Sequence, residues 1–161
     1  MQKLKVIVFD MDGTLIKETC WEIIHNYFNV DWKKTQKNIE DYCNGKISFQ
    51  ELSEREITLW KKSIKKAPHI NDIKEALKNY TLLKNAAEAI TKLKKMGYQT
   101  VIVTYGLNIL ANEIAGKLGV DMVFANQIEV DKNGCLTGKQ ITTVEFGKKN
   151  EILKNISAKL K

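Results

Sequence analysis

Two carboxylates one residue apart follow the first apolar segment of the chain. Asp10 and Asp12 belong to the run Asp10-Met11-Asp12-Gly13-Thr14, directly after Leu4–Phe9. Carboxylates with this spacing, on a chain that leaves a strand, can face one pocket and share a divalent cation. One can then attack as a nucleophile while the other moves protons, which splits a hydrolysis into two easier steps. The alternative is a turn in which both aspartates only cap loop amides.

The segment before these carboxylates predicts where they lie in the fold. Leu4–Phe9 is a nearly continuous, β-branched apolar run, which is typical of a strand in a parallel sheet that is covered on both faces. Open α/β sheets bind ligands beyond the carboxyl ends of their strands. We therefore expect Asp10 and Asp12 in such a crevice, where Gly13 would let the backbone approach a bound group closely.

The rest of the chain predicts strands that alternate with helices. Tyr98–Val103 and Met122–Ala125 have the composition of further strands, and Ile128–Leu136, around Asn133-Gly134, predicts a hairpin. Helices are predicted from the cap residue Asn85 to Gly97 and from Leu107 to Gly119. A last amphipathic helix carries its apolar residues at Ile152, Leu153, Ile156 and Leu160.

One block interrupts this alternation and is helical throughout. Between Ile16 and Tyr80 no segment has the pattern of a strand. Ser48 and Glu51 form a capping box before an apolar stripe, and Pro68, the only proline, marks a break. We interpret the block as a small helical bundle inserted into the α/β core.

Composition limits the classes of function. With 161 residues, of which 43% are hydrophobic, the chain can bury one core and at most one small inserted domain. The net charge of +7 suggests nucleic acid as a partner, but Arg55 is the only arginine among 26 basic residues. Reading of bases and phosphates depends on arginine, so we expect no nucleic-acid partner. No apolar run reaches the length of a membrane helix, so we expect no membrane partner and a cytoplasmic protein.

The motif and the inserted block together resemble the haloacid dehalogenase superfamily, and within it the phosphoserine phosphatase branch. The stretch from Phe124-Ala125-Asn126 through Asn133-Gly134 to Leu136-Thr137-Gly138 is similar to a signature of that branch. The resemblance implies an α/β fold with a Rossmann-like, three-layer parallel sheet and a small inserted helical cap. It assigns residues 1–15 and 81–161 to the core and residues 16–80 to the cap.

The resemblance also implies an activity. It makes the chain a Mg²⁺-dependent phosphatase that hydrolyses a small, phosphoserine-like phosphate monoester through an aspartyl-phosphate. Asp10 would be the nucleophile and Asp12 the acid and base, and both would bind the metal. The phosphate would be held by Gly13, Thr104, Tyr105, Gly106 and Lys149, with Lys148 as the fallback for the lysine. Tyr105 stands where the branch has a glycine, and we expect it to crowd the substrate.

Two further residues would bind the rest of the substrate. Glu18 matches the glutamate that binds the substrate amine in this branch. The arginine for the substrate carboxylate falls on Glu56, one place after Arg55, and neighbouring helical residues point about 100° apart. This substitution favours a different, amine-bearing phosphate ester over phosphoserine.

The family continues past the lysine-bearing helix into a strand and an acidic motif, whereas this sequence stops at Lys161. The first strand would then have an open edge, which offers a route to a homodimer. Three accounts remain: a portion of a longer phosphatase, a fold that binds phosphate ligands or a partner without turnover, and a nucleic-acid binder that rests on charge alone.

Overall fold

Four β-strands form one sheet in the order β1-β2-β3-β4. The computed structural model describes residues 5–145 and 147–159. The strands are β1 (Lys5–Phe9), β2 (Tyr98–Leu107), β3 (Met122–Val130) and β4 (Leu136–Ile141). β1, β2 and β3 are parallel, and β4 is antiparallel to β3. The predicted α/β class is confirmed, and β4 adds the antiparallel arm of the predicted hairpin to the sheet.

The register brings the carboxyl ends of the parallel strands to the same edge. Phe9 pairs with Ile102, and Val103 pairs with Phe124. The residues that follow Phe9 and Val103 therefore lie at one edge of the sheet, where open α/β sheets bind ligands. Leu4, the predicted first residue of β1, lies outside the described residues.

β2 is longer than its sequence pattern predicts and is irregular where it was predicted to end. Pairing with β3 resumes at Leu107, which lies opposite Asn126. Residues 104–106 of β2 therefore stand against Ala125 alone. Extra residues of this kind bend a strand and redirect its side chains, and they are frequent beside active sites.

Three helices accompany the parallel strands: α5 (Ala86–Lys95), α6 (Asn108–Leu118) and α7 (Lys149–Lys159). α5 and α6 pack against β2. The core between these elements contains side chains without solvent exposure, among them Ile90, Val101, Ile102, Ile114 and Val144. Leu160, predicted as part of the last helix, lies outside the described residues.

The ends of two of these helices test the predicted caps. Gly119 ends α6 in the left-handed conformation, as predicted. Asn85 precedes α5, but its side chain makes no cap hydrogen bond because its own backbone is left-handed, with φ of 72°. Asparagine tolerates this conformation better than most residues, so the prediction of the position was right and that of the side-chain role was wrong.

An ion pair joins α5 to the segment before β3. Asp121 accepts hydrogen bonds from the Lys94 ammonium at 2.6 Å, from the Thr100 backbone N–H at 2.8 Å and from the Thr100 hydroxyl at 2.9 Å. The Lys94 hydrogen bond is the largest cause of a pKa for Asp121 that is lowered from 3.8 to about 2. The carboxylate is therefore ionised in the folded protein well below neutral pH.

The chain divides into two compact units. The first, here called the sheet unit, comprises the described parts of Met1–Thr19, Tyr80–Asn126 and Thr143–Lys161. The second, here called the helical unit, comprises Cys20–Asn79 and Gln127–Thr142. The hairpin residues 127–142, which the sequence assigned to the core, thus belong to the helical unit.

The helical unit contains α1 (Cys20–Tyr27), α2 (Trp32–Cys43), α3 (Phe49–Ile64), α4 (Ile70–Ala76) and a short 3-10 helix, Leu77–Asn79. α3 begins with the predicted capping box of Ser48 and Glu51. β4 packs against α3, and the Gln50 amide donates to the carbonyl of Gln140 at 3.0 Å. This packing explains why the hairpin groups with the helices.

Within the sheet unit, the two segments that lead to and from α1–α4 pair with each other. The Lys17 N–H donates to the carbonyl of Thr81, and the Leu83 N–H donates to the carbonyl of Leu15, each at 2.9 Å. Ile16 and Leu82 form an antiparallel bridge between these hydrogen bonds.

Among the described residues, no helix has both the length and the apolar character needed to cross a membrane.

Candidate active site

Asp10 lies directly beyond β1, and both oxygens of its carboxylate have partners. Oδ1 accepts the backbone N–H of Met11 at 2.8 Å. Oδ2 pairs with Nζ of Lys149 at 2.5 Å. The side chain of Asp10 keeps 40% of its exposure, while that of Lys149 keeps 23%. The carboxylate is therefore oriented by two donors and still open to solvent.

The loop after Asp10 is wound around one carbonyl. The backbone N–H groups of Thr14, Leu15 and Ile16 all point to the carbonyl of Met11, at 2.9 to 3.2 Å. Gly13 lies in this turn with φ of 69°, a conformation that side chains other than glycine rarely adopt. Asp12 is the third residue after β1 and is half-buried. The turn thus fixes the backbone on which the second carboxylate stands.

Lys149 is the first residue of α7 and lies against an aromatic ring. Its Nζ is 4.2 Å from the centre of the Tyr105 ring, a cation–π contact of ordinary geometry. The Tyr105 hydroxyl accepts the N–H of Gly147 at 3.3 Å. Lys148, the fallback for the lysine, pairs instead with Glu145 at 2.7 Å. Of the two lysines that the sequence offered, Lys149 is therefore the one that lies at Asp10.

Tyr105 has a role that the sequence did not suggest. That it crowds the substrate stays a prediction, and its ring also lies against the ammonium that faces Asp10. The neighbouring Thr104 has no solvent exposure, and its hydroxyl accepts the N–H of Gly106 at 3.0 Å. Thr104, Tyr105 and Gly106 are the residues that lack a one-to-one partner in the pairing of β2 with β3.

Asn126 was not singled out as a site residue although it was part of the recognised signature. Its side chain has no solvent exposure. It joins the carbonyl of Tyr105 to the backbone of Thr143 and Val144 through hydrogen bonds of 2.8 to 3.1 Å. These partners are 17 to 21 residues away in sequence, so no local pattern could have identified them.

Glu18 lies in the sheet unit, where it holds Thr81. Its carboxylate accepts the backbone N–H of Thr81 at 2.8 Å and the hydroxyl of Thr81 at 2.9 Å. The backbone hydrogen bond is the largest cause of a pKa for Glu18 below its ordinary value. Glu18, the residue predicted to bind a substrate amine, is thus an ionised carboxylate whose two oxygens both bind Thr81.

Arg55 lies in the helical unit, and its side chain remains 45% exposed. Its guanidinium donates to Asp41 at 3.2 Å. Asp41 also pairs with Lys46, and that hydrogen bond is the largest cause of a pKa for Asp41 below its ordinary value. Arg55 is therefore engaged on the surface of α3.

Glu56, one residue later, is buried inside the helical unit. Its Oε2 lies 2.5 Å from Nε2 of His25, and its Oε1 accepts the amide of Asn38 at 2.6 Å. The other ring nitrogen of His25 lies 2.5 Å from the carbonyl of Trp21. Both oxygens of the Glu56 carboxylate are therefore used within the helical bundle, as the sequence did not foresee.

Asp10 and Asp12 supply the hard oxygen donors that magnesium prefers. Among the described residues, no group of three or more histidines, cysteines, aspartates or glutamates is arranged to hold a metal. Magnesium commonly uses one or two protein carboxylates and takes its other ligands from water and substrate phosphate. The two aspartates fit this pattern of binding.

Comparison with known proteins gives a consistent result along the chain. The family model of the haloacid dehalogenase-like hydrolases matches residues 4–160. A phosphoserine phosphatase from Methanocaldococcus jannaschii is 32% identical over 157 residues, which cover 97% of this chain and 71% of that protein. One from Idiomarina loihiensis is 36% identical over 135 residues, which cover 83% of this chain and 58% of that protein.

Solved structures agree with these sequence matches. A phospho-aspartyl intermediate analogue of phosphoserine phosphatase is similar with a TM-score of 0.79 and 31% identity, over 98% of this chain and 72% of that one. A substrate-bound phosphoserine phosphatase complex has the same TM-score at 30% identity. The curated relatives are longer than the aligned region, and the chain spans 43% of one from Archaeoglobus fulgidus.

Proposed function

We propose a reaction for this chain on one established premise: the chain belongs to the haloacid dehalogenase-like hydrolases, in the branch of the phosphoserine phosphatases. The fold, family and enzyme class predicted from the sequence are thereby confirmed. The proposed reaction is the hydrolysis of a small phosphate monoester through an aspartyl-phosphate at Asp10. Mg²⁺ is the proposed cofactor, held by Asp10 and Asp12.

The contact between Asp10 and Lys149 carries this proposal. A carboxylate that attacks a phosphate monoester must approach an anion, and the repulsion is strong in a partly desolvated site. An ammonium 2.5 Å from Oδ2 reduces that repulsion and can hold a phosphoryl oxygen as the charge moves. The Met11 N–H on Oδ1 restrains the carboxylate in rotation. A positioned nucleophile is thus paired with a positioned cation.

The first step transfers the phosphoryl group to the enzyme. An oxygen of Asp10 forms a bond to phosphorus while the bond from phosphorus to the ester oxygen breaks. Asp12, in its protonated form, gives its proton to the leaving oxygen, which departs as an alcohol. Asp10 and Asp12 would hold Mg²⁺, which would supply positive charge for the phosphoryl oxygens when bound.

The second step returns the enzyme to its starting state. Asp12, now a carboxylate, takes a proton from water, and the water oxygen attacks phosphorus. The acyl phosphate bond to Asp10 breaks, and inorganic phosphate leaves. Asp12 keeps the proton and is ready for the next cycle.

The loop at residues 104–106 suits the phosphoryl oxygens. The Thr104 hydroxyl accepts the Gly106 N–H, so its own hydrogen can be donated to phosphate. Gly13, with its left-handed backbone, lets the main chain approach a bound group without a side chain in between. With Tyr105 beneath Lys149, these residues form the proposed phosphate-binding group.

For the substrate we propose a phosphate ester that carries an amine. Glu18 is ionised and is the proposed acceptor for that amine. Arg55, the candidate for a substrate carboxylate, would then have no such group to bind and keeps its pairing with Asp41. Since Glu56 replaces the arginine expected for that carboxylate and is used by His25 and Asn38, an ester without a carboxylate is favoured over phosphoserine. We further propose a cytoplasmic location, and a homodimer formed at the edge of β1.

The test measures release of phosphate from p-nitrophenyl phosphate with and without Mg²⁺. Asp10→Asn is nearly isosteric and should abolish the magnesium-dependent rate. Asp31→Asn is the matched control, because Asp31 caps α2 in the helical unit and asparagine caps equally well. Retained turnover in Asp10→Asn would refute the nucleophile. Absence of turnover in the folded parent chain would favour the alternative, a fold that binds phosphate ligands without turnover.

The amine is tested separately, on the parent chain. Phosphoethanolamine should be hydrolysed with a higher kcat/KM than phosphoserine, because only phosphoserine carries a carboxylate. Equal or reversed preference would contradict the proposed substrate class and leave the phosphatase assignment intact.

The proposed homodimer is tested by sedimentation equilibrium, in which the mass of a monomer would contradict it.

A further inference from the structure

Asn126 has every hydrogen-bonding position of its side chain occupied by backbone. Oδ1 accepts the N–H groups of Thr143 and Val144, each at 2.8 Å. Nδ2 donates to the carbonyls of Tyr105 at 3.1 Å and Val144 at 3.0 Å. An amide offers two donors and two acceptor lone pairs. This fully buried side chain is therefore saturated by two segments distant in sequence.

Both of these segments support Lys149. Tyr105 places its ring 4.2 Å from the lysine ammonium. Thr143 and Val144 begin the connection that leads to α7, and Val144 is anchored without solvent exposure against Val101 and Val103. The Tyr105 hydroxyl also accepts the Gly147 N–H. Tyr105 thus makes two contacts here: its ring lies at Lys149, and its hydroxyl binds Gly147 just before α7.

We propose that Asn126 is a positioning residue for the phosphoryl-transfer site. It joins the Tyr105 backbone to the start of the connection that carries Lys149, and so sets the distance from the ammonium to Asp10. This inference rests on the proposed function, because it assigns Asn126 a task in that reaction. The task is geometric, since Asn126 contacts the two supports of Lys149 and no reacting atom.

An amide is required at position 126 because its backbone partners include both N–H donors and carbonyl acceptors. Aspartate would keep the acceptor for Thr143 and Val144, but would turn an oxygen towards the carbonyls of Tyr105 and Val144. Leucine would remove the side-chain partner of four backbone groups, at a cost in stability for each. Asn126→Asp is therefore the variant that disturbs the Tyr105 side of the bridge while it keeps the Thr143 side.

The first experiment reads the position of Lys149 without any need for turnover. Lysines of the full chain are acetylated with a trace of acetic anhydride, and mass spectrometry gives the rate at Lys149 relative to Lys92, an exposed lysine on α5. Asn126→Asp should raise this ratio several-fold, because the ammonium loses its fixed place between Asp10 and the Tyr105 ring. An unchanged ratio would overturn the inference.

The control separates positioning from loss of stability. Ile90→Ala opens a cavity in the core beneath α5, where Ile90 has no solvent exposure, and it should leave the Lys149 ratio as in the parent chain. An equal rise in Ile90→Ala would mean that any destabilisation exposes Lys149, and would refute a specific role. If Asn126→Asp does not fold, Asn126→Ser takes its place, since a hydroxyl keeps one donor and an acceptor.

The second experiment is a double-mutant cycle with Lys149→Met. Asn126→Asp alone should lower kcat/KM for p-nitrophenyl phosphate by roughly 10- to 100-fold, the scale of an ångström-sized misplacement. In the Lys149→Met background it should lower it by less than about 2-fold, because coupled residues are not additive. Full additivity would contradict action through Lys149. Failure of the proposed function would instead show as absence of turnover in the parent chain, while the acetylation ratio would still decide the role of Asn126.

Discussion

Replacement of Lys149 by methionine separates the catalytic role of the cation from its structural one. Methionine keeps most of the length and apolar contact of the lysine stem but removes the ammonium that lies 2.5 Å from Asp10. Because the Asp10 side chain is 40% exposed, water screens the pair, and its loss should change the free energy of unfolding by only about 0.2–1 kcal/mol. The fold should therefore survive.

The effect on turnover should be much larger. An electrostatic donor that faces developing charge is worth about 10²- to 10³-fold in kcat, or roughly 3–4 kcal/mol. The assay is steady-state hydrolysis of p-nitrophenyl phosphate with saturating Mg²⁺, beside urea unfolding of the same preparations. Lys148→Met is the matched control, since this neighbour pairs with Glu145 on the surface. Equal rates for the two variants, or a loss below about 3-fold in Lys149→Met, would refute the assignment of Lys149.

Three further outcomes are expected. Asp12→Asn should slow both chemical steps while it still allows a phosphoenzyme to form, which rapid-quench kinetics would detect; unchanged kinetics would remove its acid and base role. Glu56→Ala should lower the free energy of unfolding by about 1–3 kcal/mol, because it leaves the buried His25 ring and the Asn38 amide without their acceptor. In urea titrations the exposed Glu75→Ala should change it by less than about 0.5 kcal/mol, and similar costs for the two would count against a buried pair. The pKa of Asp121 is lowered to about 2, so its stabilisation is complete above pH 4 and is lost as the pH falls towards 2. Asp121→Asn should flatten the pH dependence of unfolding in that range, and an unaltered slope would contradict the ion pair.

The elements that local pattern controls were predicted well. The apolar run before Asp10 forms β1, the capping box at Ser48 begins α3, and Gly119 ends α6. In each case neighbouring residues supply the whole physical reason. The hairpin around Gly134 was predicted for the same reason, since turn chemistry is local.

The features that depend on distant residues were not predicted. The packing of β4 on α3 moved residues 127–142 out of the predicted core, because a strand's own pattern does not determine which surface covers it. β2 continues past Val103 to Leu107, since its pairing is restored by Asn126 on another strand. The cation–π contact of Tyr105 depends on a lysine 44 positions later, which no window of sequence reveals.

Lys149 lies between these two cases, because its position was predicted but not from local pattern. The choice of Lys149 over Lys148 came from a family register. Lys149 lies at Asp10 and Lys148 at Glu145, while the binding of phosphate by Lys149 stays a prediction. For Glu18 the register gave a position but could not foresee that Thr81 uses the same carboxylate. Alignment with a family therefore predicts the position of a residue along the chain more reliably than it predicts the contacts of its side chain.

The ladder between residues 15–17 and 81–83 has a consequence for how this chain could be rebuilt. Because Lys17 and Thr81 are hydrogen-bonded, the segment that contains α1–α4 begins and ends at adjacent points of the chain. Glu18 and Thr81 are 63 positions apart, and closing so long a loop costs about 4 kcal/mol of chain entropy, a cost that hardly depends on what the loop contains. An unrelated helical module with neighbouring ends could therefore be spliced in at these points. The graft would have to replace residues 127–142 as well, since the surface that covers β4 would leave with α3.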